Sequence, residues 1–144
     1  MEMVEDRPGP PYHTALMIGV SIAGSSAAHV LADHFERVVV LDRDQFPGLP
    51  GRRKGAPHSD PFHAVLSRGL TAVKELFPGF TDEAVTRTAE FVSYTEDMII
   101  QRRASWAPRF TSDLHTLFLS RGLLEWMVRN RVSMQPHVNF IEQA

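Results

Sequence analysis

Gly19, Ser21, Gly24 and Asp42 are the residues whose types and spacing could do chemistry. The small-residue run Gly19-Val20-Ser21-Ile22-Ala23-Gly24 would let backbone N–H groups come close to an anion. A helix starting there adds unsatisfied N–H donors and a dipole that favours a phosphate. An acid about 20 residues further on, at the end of a second strand, can accept the hydroxyl protons of a ribose. Together these features describe a pyrophosphate and an adenosine ribose, which makes FAD or NAD the candidate ligand. Gly19 would supply the turn out of the first strand, and Gly24, having no Cβ, would let the helix pack close to that strand. Ser21 occupies the place of a middle glycine. Its Cβ must then point away from the phosphate, while its hydroxyl could donate to it.

The elements that must position these groups are legible on either side. Residues 15–18 and 38–41 are continuous apolar runs, suited to parallel strands buried on both faces. Between them Ile22, Ala27, Val30 and Leu31 recur at helical spacing, leaving Asp33, Glu36 and Arg37 in water. Two other turns share this local shape. A nucleophile elbow at Ser21 would need earlier strands and an upstream oxyanion loop, and a Walker loop would need a lysine where Ser25 and Ser26 stand. A ligand-free α/β domain could also use the same close-packed helix start.

Composition narrows the class. The 144 residues are 43% hydrophobic, enough for one core, and the net charge of −2 provides no field to gather nucleic acid or anionic lipid. The absence of cysteine excludes disulfides, thiolate metal sites and a cysteine nucleophile, and fits a reducing cytoplasm. His13, His29, His34, His58, His63, His115 and His137 show no paired ligand spacing, so no metal is expected. Residues 1–13 are acidic and proline-rich and read as a flexible tail. No stretch is long and apolar enough to span a bilayer.

Beyond Asp42, glycines and prolines mark residues 43–58 as a long loop. Its cations Arg52, Arg53 and Lys54 could neutralise a phosphate or simply be solvated. Leu66, Leu70, Val73 and Phe77 predict a helix over 63–77, ended by Pro78-Gly79. Short strands are expected at 97–101 and 117–119, around a loop containing Trp106 and Pro108. Ser120 can cap a helix that buries Leu123, Leu124, Met127, Val128 and Val132. Arg121 in its first turn opposes the helix dipole unless an anion lies nearby. Residues 138–141 read as a further buried strand.

Taken as a set, five segments resemble the FAD-dependent oxidoreductases of the hydroxybenzoate hydroxylase type of flavin monooxygenase. They are Gly19-Val-Ser-Ile-Ala-Gly24, Val38-Val-Val-Leu-Asp42-Arg43, Arg53-Lys-Gly55-Ala-Pro57, His63-Ala-Val-Leu66 and Leu119-Ser-Arg121-Gly-Leu-Leu-Glu-Trp126. The resemblance implies an α/β, incomplete Rossmann-like FAD-binding domain with a βαβ start and a parallel sheet. Gly19, Ser21, Ile22, Ala23 and Gly24 would surround the pyrophosphate, with Asp42 on the adenosine ribose and Arg43 beside the adenine. Arg121 would approach the phosphate or ribityl region, with Arg53 and His63 as further candidates. The chain departs from the family in having Asp42 where glutamate is common, His58 for glutamine and Gly122 for proline. Family members continue into a substrate-binding sheet and a later Gly-Asp motif. Residues 14–144 are therefore expected to be the amino-terminal part of an FAD-binding domain, with weak or no activity by itself. The implied parent activity is monooxygenation of an organic, cyclic or aromatic substrate, using FAD, oxygen and NADH or NADPH. The cofactor would carry that chemistry, so no catalytic residue is assigned.

Overall fold

The computed structural model describes residues 12–51, 53 and 62–144. The expectations that fall on residues 1–11, Arg52, Lys54, Gly55, Pro57 and His58 lie outside the described residues. The chain opens with β1 (Tyr12–Ile18), α1 (Ile22–Leu31) and β2 (Phe35–Leu41), the βαβ order the apolar runs predict. β1 begins at Tyr12, two residues ahead of Thr14, and stacks that ring on Phe35 at 5.3 Å between centroids. β1 and β2 pair in parallel, with Ala15 opposite Val38 and Ile18 opposite Leu41. β8 (Val138–Ile141) joins the far side of β2, also parallel, in the order β1-β2-β8.

Two helices cover one face of this sheet. Ala15, Val38, Val40 and Val138 are buried with Ala28 of α1 and with Leu124, Met127 and Val128 of α4 (Arg121–Ser133). The opposite face departs from the expected two-sided burial, since Leu16 and Ile18 remain 61% and 81% exposed. Both belong to an edge strand, and strand alternation sends every second side chain away from the helices.

Three further strands form a second, antiparallel sheet, of which the sequence reading anticipates only the strand at 117–119. Its strands are β3 (Phe62–Val65), β4 (Glu90–Ser93) and β7 (His115–Ser120), in the order β3-β7-β4. β3 takes up the start of the helix predicted over 63–77, so α2 runs only from Ser67 to Leu76. The reason is tertiary: Phe62 stacks on Phe118 and Val65 pairs with Leu117 across the sheet. Leu66, expected on the helical face, is the exposed N-cap of α2. α3 (Phe80–Thr86) follows Gly79, whose φ of +74° suits glycine.

The strand predicted at 97–101 is also absent apart from its last residue. Asp97 instead closes a turn, its Oδ2 accepting from Ser93 N at 2.8 Å and its N–H donating to Ser93 O at 3.0 Å. Two short strands follow, β5 (Gln101–Arg102) and β6 (Ser105–Trp106), paired as a hairpin, so Trp106 lies in a strand. Leu117, Leu119, Leu70, Phe77 and Phe80 continue the core that begins under the parallel sheet, giving both sheets one apolar interior.

Candidate nucleotide site

The turn between β1 and α1 is shaped by its two glycines. Gly19 has φ +94°, a conformation that side chains rarely tolerate, and its N–H donates to Leu41 O at 2.8 Å. A Cβ on Gly24 would lie 2.1 Å from Gly19 O, so only glycine permits the helix to start this close to the strand. Ser21 is the N-cap of α1: its Oγ accepts from Gly24 N at 3.2 Å, and Ser25 N donates to Ser21 O at 2.8 Å. Helix geometry leaves the N–H groups of Ile22 and Ala23 without intrahelical acceptors. The Ser21 hydroxyl proton stays available to a further acceptor.

Asp42, at the end of β2, faces this turn. Its Oδ2 accepts from Val20 N at 2.7 Å and its Oδ1 from Asp44 N at 2.8 Å. Burial acts to raise the Asp42 pKa, but the two backbone N–H groups and the Arg53 charge outweigh it and hold the carboxyl below its ordinary range. Beside the turn and Asp42 lies a cleft of about 450 Å³ lined by Gly19, Ser21, Asp42, Arg43, Asp44 and Arg53, among others. Arg43 is exposed at this cleft and has no polar partner among the described residues.

Arg53 is held on the inner wall. Its Nη2 donates to Val20 O at 2.9 Å and to Glu125 Oε2 at 3.2 Å, while its Nη1 lies 3.5 Å from Asp42 and 3.8 Å from Asp44. Glu125 also accepts from Arg121 Nε at 2.9 Å, which supplies the anion that Arg121 needs in the first turn of α4. Ser120 caps this helix as expected, its Oγ accepting from Leu123 N at 3.1 Å.

Five of the sequence candidates, Gly19, Ser21, Asp42, Arg43 and Arg53, thus line one cleft, and Ile22, Ala23 and Gly24 form the helix turn beside it. His63 does not line it, being paired with Leu119 in the antiparallel sheet, and Arg121 is bound to Glu125 away from the lining. Sequence reasoning missed Glu125, Arg129, Trp126 and Asp44. Arg121, Glu125 and Arg129 recur at steps of four on α4, and that alternation of charge along a largely buried helix was the available signal. Arg129 Nη2 donates to Pro47 O at 3.0 Å and its guanidinium lies 4.9 Å from the Phe46 ring centre. Trp126 Nε1 donates to Gly48 O at 2.9 Å, so the loop after β2 is docked on α4. Among the described residues no group of three His, Asp or Glu could hold a metal ion, and no helix is long and apolar enough to cross a membrane.

A parallel βαβ sheet whose first turn opens on an aspartate-walled cleft is the architecture of dinucleotide-binding domains. Comparison with solved structures makes this more particular. The chain superimposes on 2-methyl-3-hydroxypyridine-5-carboxylic acid oxygenase with a TM-score of 0.63 at 17% identity, covering 92% of this chain and 32% of that one. PqsL of Pseudomonas aeruginosa, a probable FAD-dependent monooxygenase, gives 0.63 at 15% identity, covering 92% and 33%. The chain therefore has a fold that these oxygenases contain, as the resemblance implied. In sequence it is 32% identical over 141 residues to Protein Rv3254 of Mycobacterium tuberculosis (strain ATCC 25618 / H37Rv), spanning 95% of this chain and 30% of that protein. No protein-family model matches the chain.

Proposed function

We propose that this chain is the dinucleotide-binding part of an FAD-dependent monooxygenase. One observation carries the reading: the Asp42 carboxylate is bonded to the turn at Val20 N, and the two together line one open cleft. The residues fit an ADP-bearing ligand. The N–H groups of Ile22 and Ala23, the Ser21 hydroxyl and the positive end of α1 suit a pyrophosphate drawn close by Gly19 and Gly24. Asp42 keeps acceptor lone pairs for a ribose hydroxyl, because one backbone N–H on each carboxylate oxygen uses only part of its capacity. Arg43, exposed and without a polar partner among the described residues, can meet the phosphate or adenine side.

Bound FAD would supply the redox chemistry, passing electrons from NADH or NADPH to oxygen, and the chain's own residues hold and orient the nucleotide. The oxygenase fold supports an organic, cyclic or aromatic substrate for the whole protein, of which residues 14–144 would form the amino-terminal part of the FAD-binding domain. Identification of the cofactor released by denaturing the natively expressed, full-length product tests this. FAD is the expected result. NAD would make it a Rossmann dehydrogenase domain, and no nucleotide at all would leave a non-catalytic binding module.

A further inference from the structure

We infer that Arg53 is a positioning residue for the nucleotide turn: its buried guanidinium ties the Val20 carbonyl and the Asp42 carboxylate to Glu125, so that α4 sets the geometry of the ligand cleft. The inference rests on the reading of the cleft as a nucleotide site. Basic residues in the loop after β2 suggest phosphate neutralisation, yet Arg53 is committed elsewhere. Its side chain is 6% exposed, and that of Glu125 is 4% exposed. One guanidinium nitrogen bonds both the turn and α4, and the other lies near two aspartates, so moving Arg53 toward a phosphate would break the contacts that hold Asp42.

The consequence is a coupling that passes through Glu125, a residue outside the lining of the cleft. Val20 offers both of its backbone groups to this arrangement: its N–H donates to Asp42 and its carbonyl accepts from Arg53. A bidentate guanidinium can join a carbonyl, a carboxylate on one element and a carboxylate on another; an ammonium has the charge without that planar fork. Arg121 holds the second oxygen of Glu125, so the pair is fixed at both ends.

The test compares adenosine, which has no phosphate, with ADP, by titration of the full chain, alongside 13C NMR titration of the Asp42 carboxyl without ligand. Arg53→Met is expected to weaken both ligands by about tenfold and to move the Asp42 midpoint up toward the ordinary carboxylate range. Arg53→Lys, which keeps the charge and guards against loss of the fold, is expected to leave the midpoint low yet still weaken both ligands by several-fold. Glu125→Gln is expected to reproduce the loss from outside the cleft. A loss confined to ADP would make Arg53 a phosphate contact and overturn the inference, as would wild-type affinity in Arg53→Met or Arg53→Lys. If the wild-type chain binds neither ligand, the nucleotide reading falls, and the inference with it. If the wild type binds and the variants bind equally well, only the inference falls.

Discussion

Ser21 and Asp42 each do two jobs, and single substitutions separate them. The Ser21 hydroxyl caps α1, so Ser21→Ala should cost about 1 kcal/mol of stability while Ser21→Gly costs a few tenths. Ser21→Gly exchanges the hydroxyl donor for the freed Gly24 N–H and removes the Cβ, so ADP should bind about as tightly as in the wild type, which titration calorimetry would show. Gly24→Ala is the opposite case. Its new methyl would meet backbone at Gly19 O, and urea denaturation should record a loss of about 1–3 kcal/mol or more together with loss of ADP binding. For Asp42 the sign follows from a folded pKa held below the unfolded value. The stability it contributes is present above about pH 4, the ordinary aspartate pKa, and is lost as pH falls through the folded value. Asp42→Asn should therefore flatten the fall in urea midpoint on acidification below about pH 4.

At the level of elements, α4 is the member through which the cleft is anchored. Breaking a buried ion pair by removing one partner costs about 3–5 kcal/mol, because the remaining charge stays buried. Glu125→Ala, which takes from Arg53 its α4 partner while Asp42 and Asp44 stay nearby and leaves Arg121 without its anion, should cost an amount at the lower end of that range in urea denaturation. Ser120→Ala at the start of the same helix removes one cap and should cost about 1 kcal/mol. The contrast would show that α4 is held to the turn more firmly than it is capped. The docking of the loop after β2 by Trp126 and Arg129 extends the same logic. Carbonyls of Pro47 and Gly48, which a solvated loop would offer to water, are taken up by side chains of α4.

For the molecule as a whole, the two faces of the parallel sheet differ in kind. The helical side is packed and contributes to the single core, whereas Leu16 and Ile18 stand in water on the other. Leu117→Ala, at a fully buried position of β7, should cost about 2–5 kcal/mol. Leu16→Ala should stay within about 0.5 kcal/mol by the same urea assay, since an exposed side chain loses little on truncation. The shared interior of the two sheets also predicts that both should unfold together, so that tryptophan fluorescence and far-UV circular dichroism report one transition.

The amino-acid sequence by itself determined the βαβ opening, the glycine turn, the acid at the end of β2 and the capped helix α4, because each rests on local periodicity or on a conformation only one residue type allows. Tertiary structure alone decided that Phe62–Val65 is a strand, since that depends on Phe118 and Leu117 more than 50 residues away. It also decided what Arg53 and Arg121 touch. A cation in a sequence names no partner, and Glu125 becomes theirs only when α4 packs beside the turn, where burial makes an unpaired charge too costly to leave.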